Sequence, residues 1–407
     1  MAKSKSNHST PNQGNEKIMR FAHPFFTNTP PDQRTKVPGV GNRMTSFIAN
    51  NLLPFPDPQR DPTMTLADVI GAQGVQEIVA NGSITFHAVG DTGNANGQME
   101  ELVSEAMALD YNPASPGKSP AFFLHLGDVI YYDNTDRGYQ AQFYVPYKRY
   151  PGKIIAIPGN HDGEIFKFDG TPTGQKTSLA AFWANFCQPK PGVPPGAGTI
   201  YREMVSQPGA YWYLDAPFVD IIGLYSNIGE GPGFISVPTT GGIKQTDWLT
   251  TTLTSIHKKR TTATRKALII AVHHPPFSNG GHSSSVDMLK DIDTCCTNAG
   301  ITPDAVLAAH AHNYQRFTRY LSFGGKNIQT PYYVVGCGGR GTSSVPQATG
   351  ARTGDHSFDS SFVGYGFLTV KADSKQLTLF ITQVDQAGAK KTFDKKIVVD
   401  LATNVIV

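Results

Sequence analysis

Five short apolar runs in this chain each stop on side chains that bind metals, and that repetition limits the folds open to it. Residues 83–90 run into Asp91, Thr92 and Gly93. Residues 121–126 run into Gly127, Asp128 and, three positions later, Tyr131. Residues 153–157 lead through Pro158 and Gly159 to Asn160 and His161. Residues 267–272 lead to His273, and residues 305–309 lead to His310 and His312. Each run has the length of a strand buried on both faces. Sites in open α/β sheets form beyond the carboxyl ends of the strands. The pattern therefore predicts five strands delivering ligands to one sheet edge.

The residue types suit two cations. Neighbouring cations repel, so a carboxylate must bridge them, and such pairs sit about 3.5–4 Å apart in phosphoryl-transfer sites. Asp128 is the natural bridge, because Tyr131 serves one metal from the same loop. The one-residue spacer between His310 and His312 lets two imidazoles diverge to two metals. Hardness divides the set. Asp91, Asp128, Tyr131 and His312 make a hard site, and Asp128, Asn160, His273 and His310 make a softer one.

The motifs Gly90-Asp-Thr-Gly93, Gly127-Asp-Val-Ile-Tyr131, Gly159-Asn-His-Asp162, the His273 segment and Ala309-His-Ala-His312 resemble the purple acid phosphatases. These belong to the calcineurin-like metallophosphoesterase superfamily, and the resemblance spans about residues 83–400. Most of the superfamily carries Asp-x-His in the first motif. Here Gly93 takes the His place and Tyr131 supplies the ligand, as in the purple acid branch. The resemblance implies an α+β fold, a four-layer αββα sandwich of two mixed β-sheets flanked by helices. It implies Fe(III) at Asp91, Tyr131 and His312, and a divalent metal (Fe, Zn or Mn) at Asn160, His273 and His310. It gives His161 a substrate-binding and acid–base role, with His282 as a second active-site histidine. Gln245 to Leu249 matches the helix before the His273 strand. Two departures stand out: Ala309 replaces a glycine, and Gln315 in Tyr314-Gln315-Arg316 replaces an acidic residue.

Several neighbours compete for these roles. His274 is the alternative to His273, which the following proline favours. Tyr132 is the alternative to Tyr131, which the spacing to Asp128 favours. His87 and His125 lie inside strand runs and read as core. Asp162 and Asp133 read as supporting or surface groups, with Asp162 a candidate to orient His161. His282 sits in a polar Ser/Asn/Gly loop. Gly336-Cys-Gly-Gly-Arg-Gly341 matches a dinucleotide fingerprint, but no helix pattern follows it, as that reading requires. It reads instead as a turn on the site rim, with Arg340 a candidate substrate-binding residue beside Asn160 and His161.

The ligands span most of the chain with no linker between them, so residues 83–400 read as one catalytic domain. Residues 1–82 read as a polar tail, an extended wrap over 24–63 and a short helix capped by Thr65 with Asp68 in the capping-box place. Helical patterns fall near 98–108, 177–187, 244–257 and 284–297. Strand patterns fall over 362–371, 376–384 and 391–400. A net charge of +3, with no basic cluster beyond the N-terminal tail, argues against nucleic acid as the main partner. The tail has no apolar core of a secretory signal, whereas a charged content of 16%, against about 25% typically, leans toward an exported mature chain. No apolar run suits a membrane span. Four cysteines form no disulfide framework, and oligomeric state is not legible.

The expected activity is hydrolysis of a small phosphate monoester by a water that the two cations deprotonate, releasing inorganic phosphate. His161 and His282 would protonate the leaving oxygen. The alternatives are a phosphodiesterase or nucleotide hydrolase on the same site, and a non-catalytic metal-binding protein. The last predicts ligand loss, whereas the ligand set here is complete.

Overall fold

The computed structural model describes residues 55–407 except 95, 166, 168–170, 227–232, 237–244 and 261–264. The polar tail and most of the wrap expected over 24–63 lie outside the described residues. Two mixed sheets dominate the rest. The first has nine strands in the order β1 (Thr63–Thr65), β5 (Trp212–Ala216), β6 (Val219–Gly223), β7 (Ala267–Ala271), β10 (Ala305–Ala308), β12 (Lys326–Val335), β11 (Tyr314–Phe323), β14 (His356–Phe362) and β13 (Arg352–Thr353). The second runs β19 (Val405–Ile406), β18 (Ile397–Asp400), β16 (Gln376–Val384), β15 (Tyr365–Asp373), β2 (Ser83–Val89), β3 (Phe122–His125) and β4 (Lys153–Ala156), with β17 (Lys390–Thr392) beside β16. A two-strand hairpin, β8 (Asn279–Gly280) with β9 (His282–Ser283), stands apart.

Side-chain alternation explains the layering, because successive strand residues face opposite sides. In β7, Ala267, Ile269 and Ala271 join the central core between the sheets. Leu268 and Ile270 join an outer core with Leu249, Leu253 and Ile256 of helix α3 (Gln245–Lys259) and Met288 and Ile292 of α4 (Val286–Ala299). On the far side, α2 (Gln98–Ala108) packs on β15 and β16. The result is the αββα sandwich. Both faces of β7 and β10 are covered, which is why their sequences are continuous apolar runs.

All five ligand-bearing runs are strands, but they do not feed one sheet edge. β2, β3 and β4 are parallel neighbours in the second sheet, and β7 and β10 are parallel neighbours in the first. The site lies where the carboxyl ends of two facing sheets meet. Backbone hydrogen bonds hold the two edges together there. Gly90 N donates to Val335 O of β12 (2.9 Å), and Gly338 N donates to Gly90 O (3.1 Å).

The N-terminal helix α1 (Leu66–Asn81) has the expected capping box, with Thr65 N donating to Asp68 Oδ2 at 2.7 Å. It kinks at Gly71, whose φ is +76°. Near the C-terminus two expected strands are cut differently. The 362–371 pattern starts as β15 only at Tyr365, because Gly364 turns the chain with φ +153° after β14 ends. The 391–400 pattern splits into β17 and β18, and between them Asp394 takes hydrogen bonds from Arg316 Nε (2.8 Å) and Tyr314 Oη (3.3 Å). No helix follows Gly336 to Gly341, so the nucleotide fingerprint is the decoy that its context implied.

Candidate metal centre

Four of the seven candidate ligands sit in the left-handed backbone region: Asp91 (φ 54°), Asp128 (54°), His310 (68°) and His312 (41°). Such a conformation costs an L-residue roughly 1–2 kcal/mol. It turns the chain sharply off each strand end and aims the side chain back over the sheet edges. Gly127, at φ +94°, makes the same turn before Asp128, and a Cβ there would meet His273 Nδ1 at 2.7 Å. Gly159 likewise leaves no space for a side chain beside Asp128.

These turns bring the seven residues together. His273 Nε2 is 3.3 Å from Asp128 Oδ2 and 3.9 Å from Asp91 Oδ1. The candidate ligand atoms of Asp128, His273 and His310 all lie within 4.8 Å of one another. Tyr131 Oη is 3.0 Å from both Asp91 Oδ1 and His312 Nε2. His273 thus stands between Asp91 and Asp128, within 4 Å of each.

Whether the residues fit cations can be judged from their unmet bonding. Asp91 Oδ2, Asn160 Oδ1 and His310 Nε2 are buried with no hydrogen-bond partner, and Asp128 Oδ2 and His273 Nε2 are buried with only each other at 3.3 Å. An unsatisfied buried polar atom costs about 1–3 kcal/mol, so buried ligand atoms left this way beside the Asp128, His273 and His310 cluster call for a shared partner. Charge says the same. Burial, then Asp128, raises Asp162, and burial with Asp128 also lifts Asp91, each to about 7. Burial opposes charge on Asp128 too, but His273 and His161 hold it below the usual carboxylate range. Burial alone would lower His273, yet Asp128 lifts it to about 9. Burial drives His310 well below the usual range and takes His312 to about 4, leaving neutral imidazoles able to donate a lone pair. Burial and the two carboxylates push the Tyr131 phenol far up, so a phenolate there needs a strongly charged cation.

The surroundings fix these groups. His273 Nδ1 lies 2.9 Å from Leu126 O, across the gap between the sheets. Tyr131 N donates to Gln142 Oε1 (2.9 Å) and Gln142 Nε2 returns a bond to Tyr131 O (3.1 Å). A cavity of about 200 Å³ opens above Asp128, rimmed by Tyr132, His161, His282, Arg340 and Thr342. His282 lies 4.1 Å from His310, ring to ring. Arg340 N donates to Asp91 O (2.9 Å), and its guanidinium lies 4.5 Å from the Tyr131 ring centre.

Asp128, Tyr131, His161, His282, His310, His312 and Arg340 line this cavity together, and the competitors Tyr132 and His274 stand beside them, the His274 ring 4.3 Å from that of His310. His274 bonds Ser226 (Nδ1 to Oγ, 2.7 Å). Tyr132 sits on the rim, 36% exposed. His87 and His125 are core, paired with Tyr150 and Thr92. Gly93 has no room for a ligand side chain, because a Cβ would meet Ile130 Cα at 2.6 Å. The Ala309 methyl fits because position 90 is glycine, where a Cβ would lie 2.6 Å from it. Gln315 does local work: it accepts from Asn279 N (2.7 Å) and donates to Gly280 O (3.0 Å), bracing the His282 hairpin.

Asp162 does not play the part offered to it at His161. Its Oδ2 accepts from Gly159 N (2.8 Å) and Val129 N (3.3 Å), tying two ligand loops together. The carboxylate at the His161 ring is Glu164, with Oε2 2.9 Å from Nδ1. Sequence reasoning missed Glu164, Gln142 and Thr92. Only Glu164 left a trace, as an acidic residue three positions after His161.

The model of the calcineurin-like phosphoesterases matches residues 84–314, and the chain belongs to that family. The chemistry of the family is metal-dependent hydrolysis of phosphate esters. A search of curated proteins returns no match. Among solved structures the chain is similar to GAP50, the anchor in the inner membrane complex of Plasmodium, at 12% identity over 79% of this chain and 91% of that one, TM-score 0.49. It is also similar to PhoD, at 12% identity over 79% and 70%, TM-score 0.47, and to a dimetal phosphatase from Danio rerio, at 11% identity over 78% and 99%, TM-score 0.42. Among the described residues no helix is long and apolar enough to cross a membrane.

Proposed function

We propose that this chain is a phosphomonoesterase of the purple acid type. Asp91, Asp128, Tyr131 and His312 would hold Fe(III), and Asp128, Asn160, His273 and His310 would hold a divalent metal (Fe, Zn or Mn). The observation that carries the proposal is the set of buried ligand atoms on Asp91, Asp128, Asn160, His273 and His310, with no partner outside the set, joined by a phenol wedged between Asp91 and His312. When bound, the metal pair supplies Lewis acidity at the phosphoryl oxygens and an activated water.

The chain's own residues do the rest. His161, Asn160 and Arg340 receive the phosphoryl oxygens. His161 gives a proton to the leaving oxygen, with His282 on the opposite rim stabilising charge. These groups favour a dianionic monoester, since a diester has one charge fewer and one bulky group more. Residues 83–400 would form the catalytic domain, with the extended segment of 24–63 wrapping it and a short helix between the two.

Metal analysis, a visible spectrum and a substrate pair test the proposal. The iron-loaded protein should show a broad visible charge-transfer band that Tyr131→Phe bleaches. It should hydrolyse an aryl phosphate with higher kcat/KM than the bis-aryl ester over about pH 4–9, a range bracketing the ordinary histidine pKa of about 6.5. Active iron protein with no band sinks the Tyr131 assignment. A higher value for the diester throughout replaces the monoesterase reading with a phosphodiesterase.

A further inference from the structure

His161 sits on the rim of the cavity with its side chain 7% exposed, and Glu164 behind it is 2% exposed. Glu164 Oε2 lies 2.9 Å from His161 Nδ1. The two residues share one helical turn, Asn160–Gly163, with Glu164 closing it. That turn is clamped from outside. Glu164 O accepts from Thr173 Oγ1 (2.6 Å), Gln175 Nε2 (2.7 Å) and Asn134 Nδ2 (3.3 Å). Gln175 Nε2 also donates to Asp162 O (2.9 Å), and Asn134 Nδ2 to His161 O (3.4 Å). Three side chains from two other segments thus converge on one carbonyl. On the other side His161 N donates to Asp128 Oδ1 at 2.9 Å, which locks the backbone of the histidine to the proposed bridging carboxylate.

We infer that Glu164 is a positioning residue for His161, resting on the role of His161 proposed above. A buried carboxylate accepting from Nδ1–H fixes the ring orientation and the tautomer. Nε2 is then the nitrogen turned to the cavity and to the leaving oxygen. Glu164 touches neither substrate nor metal in this scheme and acts only through the ring.

The leaving group separates this role from a structural one. A 4-nitrophenolate leaves with little protonation, whereas an alkoxide needs the proton. Glu164→Gln in the metal-loaded full chain should lose about 10–100-fold in kcat on an alkyl phosphate, the range usual for partners that orient a functional histidine. It should lose only about 3-fold or less in kcat on 4-nitrophenyl phosphate, with metal content unchanged. Glu164→Ala should fall further on the alkyl ester, because Gln keeps an acceptor and Ala does not. His161→Ala combined with Glu164→Gln should be no worse than His161→Ala alone. Equal losses on both esters, or additive losses in the double variant, overturn the inference.

A second measurement needs neither turnover nor a variant that folds. ¹⁵N shifts in the zinc-loaded wild type should show the neutral His161 ring protonated at Nδ1, and protonation at Nε2 overturns the inference. Should the loaded protein hydrolyse neither ester, the phosphatase reading fails while this measurement still decides the role of Glu164.

Discussion

At the scale of single residues, neighbours in sequence are given different work by where their backbones point. Asn160 keeps a buried amide with no hydrogen bond, while His161 lines the cavity and is braced by Glu164. The two can be separated by mutation. Asp128→Asn should lose at least one metal and nearly all activity, because the shared anion between two proposed sites is gone. His161→Ala should keep both metals and lose about 10²–10⁴-fold in rate, the span of general acid–base effects. Metal content measured by elemental analysis beside kcat checks both. A His161→Ala protein that arrives short of metal would show the division of the pair to be wrong.

At the scale of elements, the loops after the strands are built around what cannot carry a side chain. The first ligand loop is pressed against the second, and Gly93 faces the backbone of Ile130 and Val129 at 2.6 Å from where a Cβ would stand. The histidine common at this position elsewhere in the superfamily therefore cannot be restored here. Gly93→His should destabilise the fold by about 1–3 kcal/mol, the usual range for overpacking. It should not rescue metal binding in Tyr131→Phe. Denaturant midpoints and metal analysis of the single and double variants check this, and a stable, metal-replete double variant would contradict the steric argument. The hairpin bearing His282 depends in the same way on Gln315, whose amide both donates and accepts. A carboxylate, which only accepts when ionised, could not do both.

At the scale of the whole molecule, the second sheet carries a buried polar chain away from the metal ligands. His87 lies fully buried in β2, 3.0 Å from Asp110 and 3.2 Å from Tyr150, and Tyr150 is 2.8 Å from Tyr111. Burial outweighs the pull of Asp110 and lowers the His87 pKa below 6.5. The unfolded chain takes up a proton near 6.5 that the native state resists. The contribution is therefore complete above about 6.5 and is lost as pH falls from there toward the lowered native value. With metal saturating, denaturant midpoints should drop as pH falls below about 6.5, and His87→Asn should make that drop shallower. Identical slopes in the two proteins would remove His87 from the account.

The sequence by itself determined where the five strands end and which residue types stand there. Those features are local, because a doubly buried strand must be apolar along its length and polar side chains can begin only where it stops. The capping box at Thr65 was legible for the same reason, since its bonds reach only three residues. The tertiary structure alone decided that β2 to β4 and β7 with β10 lie in different sheets. Strand order depends on contacts between segments far apart in the chain, which no periodicity records. It also decided that Glu164, not Asp162, meets the ring of His161. Asp162 is the nearer in sequence, but the turn at Asn160–Gly163 points its carboxylate back to Gly159 and Val129. Which carboxylate reaches an imidazole follows from backbone direction, and the packing of Asn134, Thr173 and Gln175 fixed that direction.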